Sequence, residues 1–186
     1  HARQTLPDIP HFFGGHSMGG LLALNIALDN PPGYQGVVAS APMFRLNFAA
    51  PPLKVALGQI LNRIAPATTL GNEVDPFALS RDFGVVEAYR ADPLVHGKIS
   101  ARAYFEIVAA MASSLERAAE VRLPILLMQG NIDPLVSSDG SREFHERAGR
   151  IDKTYKLYDG LYHEIFNEPE KARVLGDLIN WLDAHV

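Results

Sequence analysis

The 186-residue sequence contains no cysteine and a single tryptophan. Without cysteine there is no disulfide framework and no thiolate to bind a metal. The same absence leaves the compartment open, since a secreted chain can also lack disulfides. No apolar run reaches the roughly 20 residues needed to span a bilayer. The longest such stretch, residues 21–28, is broken by Asn25 and reads as a buried helix. Neither sign of charge dominates: 17 Lys and Arg stand against 21 Asp and Glu, a net charge of -4, with no basic cluster. That excludes a nucleic-acid partner, which needs a positive face. Repeats and low-complexity segments are also missing. The first residue is His1 rather than Met, so the lack of a signal peptide carries no information.

What is present is globular. Hydrophobic residues make up 47% and charged residues 20%, and the length suits one domain with a proper core. Short apolar runs alternate with longer helical patterns, which points to βα units and an α/β fold with a parallel sheet flanked by helices. Strands are predicted at His11–Gly15, Gly36–Ala41, Pro124–Gly130 and Asp152–Tyr158. Met18–Leu28 reads as a helix stopped by Asp29-Asn30-Pro31-Pro32-Gly33. Ser100 caps a helix with Tyr104, Ile107, Val108, Met111 and Leu115 inward, and Phe144 marks another helix before the last strand. At the C-terminus, Asn167 is read as N-cap, with Pro169 and Glu170 in a capping box. Val174, Leu175, Leu178, Trp181 and Leu182 then share one face. Residues 45–95 break the alternation and read as an insertion in a core made of 1–44 and 96–186. Within it, Leu53, Leu57, Ile60, Leu61 and Ile64 fall on one side of a helix, and polar, loop-like sequence follows.

Gly15-His16-Ser17-Met18-Gly19 matches Gly-x-Ser-x-Gly, with an apolar strand before it and an apolar helix after it. That context defines a nucleophile elbow. The glycines at 15 and 19 are expected to relieve collisions where strand and helix cross. The turn would push the Ser17 hydroxyl clear of the backbone and set the Met18 N–H at a helix N-terminus, as an oxyanion donor. A bare Gly-rich turn is the alternative use of the same residues.

A serine needs a base, and the base needs an orienting acid. On this architecture both follow the serine in chain order, each just after a strand. Asp133, in Gly130-Asn131-Ile132-Asp133-Pro134, fits the acid, with Asp139 as a spare better suited to a helix start. Of seven histidines, His163 alone lies in a loop between the last strand and the last helix. His1 and His185 are terminal, His11 and His16 flank the elbow strand, His96 is in the insertion and His145 is on a helix read as surface. Glu164 is expected to be solvated or capping.

Gly-His-Ser-Met-Gly-Gly, Gly-Asn-Ile-Asp-Pro-Leu-Val and Leu-Tyr-His-Glu-Ile-Phe-Asn-Glu-Pro-Glu together resemble the monoacylglycerol lipase and lysophospholipase group of α/β-hydrolases. Asp92-Pro93-Leu94-Val95-His96 is similar to a cap segment of that group. The resemblance implies the C-terminal part of an α/β-hydrolase fold with an inserted helical cap. It implies an esterase acting on monoacylglycerol or lysophospholipid-like esters through Ser17, Asp133 and His163, with the Met18 N–H in the oxyanion hole. It implies no cofactor and no metal. The implied partner is a small ester or lipid substrate, with transient contact with a lipid surface and an open oligomeric state.

The chain departs from the family in one respect. Family members carry several strands and a His-Gly loop, source of the second oxyanion donor, before the elbow. Here the elbow arrives at residue 17. The expectation is a fragment, or a chain recorded without its N-terminal part, whose elbow strand lies at an exposed edge. Such a chain would be catalytically weak, since loss of one oxyanion donor costs on the order of a hundred- to a thousand-fold. An acyltransferase on the same triad and a non-catalytic binding fragment are the competing functions. The helix of the insertion is read either as an apolar lid over Ser17 or as packed on the core.

Overall fold

A computed structural model describes residues 9–186; His1 and the rest of the first eight residues of the core segment lie outside the described residues. In chain order the elements are β1 (Phe12–His16), α1 (Met18–Leu28), β2 (Gly36–Ser40), α2 (Pro52–Ile64), β3 (Thr69–Gly71), a 3-10 turn (Pro76–Ala78), α3 (Phe83–Ala91), β4 (Lys98–Ser100), α4 (Ala101–Arg117), a second 3-10 turn (Ala118–Glu120), β5 (Ile125–Gly130), α5 (Ser138–Arg147), β6 (Lys153–Tyr158) and α6 (Lys171–Asp183).

The four apolar runs read from the sequence form one parallel sheet in the order β1-β2-β5-β6. β5 is buried at all six positions, as a strand covered on both faces must be. Its side chains alternate between two cores. Ile125 and Leu127 meet Leu21, Leu24, Val37, Phe44 and Phe144 on one side, and Leu126 and Met128 meet Ile165, Val174 and Trp181 on the other. Asn25, the residue that interrupts the apolar run, donates to Ser114 Oγ at 2.5 Å and to the Leu21 carbonyl at 3.1 Å. A half-buried amide thus joins α1 to α4. Among the described residues β1 is an edge strand.

The insertion differs from its sequence reading in three ways. β3 and β4 pair antiparallel, Thr69 opposite Ser100, and close its neck. The stretch read as loop holds α3, whose N-cap Asp82 accepts from the Gly84 N–H at 2.8 Å. Only Val86 of this nine-residue helix is buried, so no apolar periodicity announces it. The apolar side of α2 does not pack on the core either. Leu53 is 84% exposed and Ile64 75%, and the helix buries only Gly58, which faces the Phe105 ring of α4.

Two further expectations are corrected. α6 begins at Lys171 after Glu170, not at Asn167, whose side-chain N–H donates to the Glu164 carboxylate. Its inward face holds Val174, Leu178, Trp181 and Leu182, while Leu175 is exposed. On α4, Val108 is exposed as well, and Ser100 caps the helix as read, accepting from the Ala103 N–H at 3.2 Å. Among the described residues no helix is long and apolar enough to cross a membrane.

Candidate active site

The elbow forms where β1 turns into α1. Ser17 sits at φ 54° and ψ -118°, a conformation that costs a residue with a Cβ on the order of 1–3 kcal/mol. Three backbone hydrogen bonds hold it. The Ser17 N–H donates to the Ser40 carbonyl at 2.8 Å, and the Ser17 carbonyl accepts from Leu21 at 3.0 Å and Met43 at 3.1 Å. A Cβ on Gly15 would land on the Gly19 carbonyl, so strand and helix cross in backbone contact there. The expectation for Gly19 is corrected: a Cβ at that position meets nothing within 4 Å. The second close approach is at Gly20, whose Cβ would lie 3.1 Å from the Gly15 carbonyl oxygen and 3.2 Å from that of Ser40. Met18 is the first residue of α1, where N–H groups have no intrahelical acceptor and the helix dipole is positive.

The acid and base loops leave the neighbouring ends of β5 and β6. The Asp133 side chain is 1% exposed and fully engaged. Its Oδ1 accepts from the Leu135 and Val136 N–H groups at 2.8 and 2.9 Å, and its Oδ2 accepts from His163 Nδ1 at 2.7 Å. A carboxylate only accepts, so Nδ1 carries the proton and Nε2 is the basic nitrogen of the ring. The two loops are stitched together. Asn131 donates its amide to Asp159 at 2.7 Å and accepts from the Gly160 N–H at 2.8 Å, where Gly160 takes φ 76°. Gly130 leaves no room for a side chain, because a Cβ would overlap the Leu161 carbonyl.

Asp133 and His163 are therefore brought together, and Ser17 is held on the strained turn one residue after His16. His16, next to Ser17, lies with its ring 4.6 Å from the His163 ring. No hydrogen bond joins the Ser17 hydroxyl to His163 among the described residues. Such bonds are often long in unliganded sites and tighten around substrate. Asp139 occupies the first turn of α5 and pairs with Arg142, outside the site.

Residues that sequence reasoning missed surround this core. Glu164 is neither solvated nor a helix cap. Its carboxylate meets His16 Nε2 at 3.2 Å and accepts from Asn167 at 3.0 Å, and its N–H donates to the Leu79 carbonyl at 2.8 Å. Burial pushes its pKa up, but hydrogen bonds and charge from His16, with help from Asn167 and His163, outweigh that and hold it below the usual carboxylate range. Arg81 grips the fully buried Glu168 twice, through its N–H and its Nε, and also reaches Glu170. Ala78 and Leu79 pack on Leu135 and Val136 of the acid loop. The inserted segment thus touches both loops. Charged residues in polar stretches gave no periodic signal by which these partners could be found.

A surface hollow of about 480 Å³ lies between α2 and Phe105, lined also by Gln59, Ile60, Asn62, Arg63 and Ile64. Neither Ser17 nor His163 borders it. Among the described residues no cluster of three or more His, Cys, Asp or Glu could hold a metal ion.

A parallel sheet flanked by helices, an elbow serine and a carboxylate–imidazole pair at the adjoining strand ends define the α/β-hydrolase fold class. Comparison with known proteins agrees. The family model described as serine aminopeptidase, S33 matches residues 1–170. A monoacylglycerol lipase of Mycolicibacterium smegmatis is 38% identical over 186 residues, covering 100% of this chain and 66% of its own length. The monoglyceride lipase of Mus musculus is 34% identical, covering 99% of the chain and 62% of its own length. The crystal structure of a Paleococcus ferrophilus monoacylglycerol lipase superposes with a TM-score of 0.91 at 35% identity, over 98% of the chain and 71% of that protein. The chain belongs to the serine aminopeptidase S33 family of α/β-hydrolases. It spans somewhat under two thirds of the length of these two lipase relatives.

Proposed function

We propose that this chain carries the nucleophile, acid and base of a serine hydrolase that cleaves carboxylic esters, with a monoacylglycerol or lysophospholipid-like substrate. The observations that carry the reading are the buried 2.7 Å bond between Asp133 and His163 and the strained elbow conformation of Ser17. The names of the lipase relatives supply the substrate class.

The chemistry follows from the roles. Asp133 keeps the proton on Nδ1 of His163, and Nε2 takes the Ser17 proton as Oγ attacks the ester carbonyl. The carbonyl oxygen becomes an oxyanion, and the Met18 N–H at the start of α1 donates to it. His163 then returns the proton to the leaving alcohol, which departs and leaves an acyl group on Ser17. A water molecule, deprotonated by the same imidazole, releases the fatty acid and restores the serine.

Residues 45–95 are proposed as the cap. The exposed Leu53, Leu57, Ile60 and Ile64 on α2 suit transient contact with a lipid surface or with the acyl chain of the substrate. An acyl chain gains about 0.8 kcal/mol per methylene taken from water.

A fluorophosphonate probe tests the reading. One covalent adduct on Ser17, lost in Ser17→Ala and strongly slowed in His163→Ala, is the expected outcome. Full-length protein that takes up no probe and hydrolyses neither monoacylglycerol nor lysophospholipid ends the proposal.

A further inference from the structure

A single hydrogen bond fixes one atom of an imidazole and leaves the ring free to roll about that bond. The Asp133–His163 contact is such a bond, so a second constraint is needed to hold the plane of His163. The ring of His16 supplies it, with centroids 4.6 Å apart and planes tilted by 55°. His16 is held by one hydrogen bond and one ion-pair contact: Nδ1 lies 3.1 Å from Ser40 Oγ, and Nε2 lies 3.2 Å from Glu164 Oε1 without hydrogen-bond geometry. Ser40 is buried, and its carbonyl holds the Ser17 N–H. The chain of contacts therefore closes on the nucleophile: Ser17 to Ser40, Ser40 to His16, His16 to both His163 and Glu164.

We propose that Glu164 and His16 are positioning residues, a second carboxylate–imidazole pair that braces the His163 ring and supplies negative charge beside it when it becomes an imidazolium. The proposal rests on the reading of His163 as the general base. Glu164 is well placed for both tasks. It is adjacent to His163 in the chain, its N–H is anchored on the Leu79 carbonyl, and its second oxygen is held by Asn167. The groups facing its carboxylate are His16 from β1 and His163 and Asn167 from its own loop, with Asp133 beyond His163. The carboxyl is held below its ordinary range, so it stays charged through the working pH range.

The test compares Glu164→Gln, Glu164→Asp, His16→Asn and the Gln/Asn double variant in the full-length protein. A soluble ester, p-nitrophenyl butyrate, is the substrate, with kcat and KM measured from pH 5 to 9. Glu164→Gln and His16→Asn are each expected to lower kcat about 10-fold with KM within about twofold, the signature of an interaction that matters in the transition state. The acid limb of the Glu164→Gln profile should move about half a pH unit lower, because a nearby negative charge favours the protonated imidazole. The double variant should be no worse than the worse single variant, since the two residues act as one unit. Glu164→Asp should recover part of the rate. A folded Glu164→Gln with wild-type kcat and an unmoved acid limb overturns the proposal, as do losses that multiply in the double variant. If His16→Asn does not fold, Glu164→Gln alone decides. Activity surviving in His163→Ala would instead sink the triad reading, which keeps the two failures apart.

Discussion

At the scale of single residues, the elbow separates two glycines that look equivalent in the motif. A Cβ at position 15 would overlap the Gly19 carbonyl, whereas a Cβ at position 19 would meet open space. Gly15→Ala is expected to cost about 3 kcal/mol, because backbone must move to admit one methyl. Gly19→Ala should leave stability unchanged or raise it by up to about 1 kcal/mol, since alanine favours a helix where its side chain meets nothing. Urea unfolding of the two variants checks both, and a strongly destabilised Gly19→Ala would contradict the geometry. Asp133 has the opposite character, with every oxygen committed. Asp133→Asn can present its amide to His163 and favour the wrong tautomer, so a loss on the order of 10⁴-fold in kcat is expected with little change in fold. Steady-state kinetics and circular dichroism read the two effects separately.

At the scale of elements, segment 45–95 contacts both site loops. Leu79 accepts from Glu164, Arg81 holds Glu168, and Ala78 and Leu79 pack on the acid loop. The loops that carry Asp133 and His163 are thus braced by a segment some 50 to 90 positions away in the chain. Glu168 is fully buried, and taking away its cation leaves the carboxylate with only the Arg81 backbone N–H for a partner. A fully buried pair broken in this way loses about 3–5 kcal/mol. Arg81 is one third exposed and partly screened, so Arg81→Met is expected to cost about 2 kcal/mol. Adding Glu168→Leu should recover most of that loss, because an apolar pair needs no compensation. Chemical unfolding of the single and double variants reads this, and a double variant less stable than Arg81→Met would refute it.

At the scale of the whole molecule, the sheet has an enclosed centre and, among the described residues, two edge strands, β1 and β6. β5 is enclosed between two cores, while β1 has β2 as its one strand neighbour among the described residues. Outside the sheet, the apolar face of α2 is left to solvent. Stability in acid follows from the carboxylates the fold has paired. The Glu164 carboxyl is lowered in the folded chain, so the stability it contributes is complete above the ordinary glutamate value near 4.3. That contribution is lost as pH falls through the lowered folded value. Wild type should therefore exceed Glu164→Gln in unfolding free energy at pH 7, with the gap closing toward pH 3. A gap that widened in acid would have the wrong sign.

Much of this was legible in the chain. Strand runs such as residues 125–130 are apolar apart from Gln129 and end in turn residues, and the order Ser17, Asp133, His163 follows the strand ends. Those features are local: a strand buried on both faces must be apolar, and a strained elbow must have a glycine where backbones cross. The helix α3 was hidden because it buries one side chain, and the start of α6 because Asn167 caps nothing and instead serves Glu164. His16, Glu164, Arg81 and Glu168 carry no periodic signal at all. Whether a charged side chain is solvated or paired depends on what the fold brings beside it. The sequence by itself therefore determined the sheet, the elbow and the order of the candidate triad. Only the tertiary structure decided which polar residues meet around the candidate triad, because partners far apart in the chain meet only once the sheet has closed.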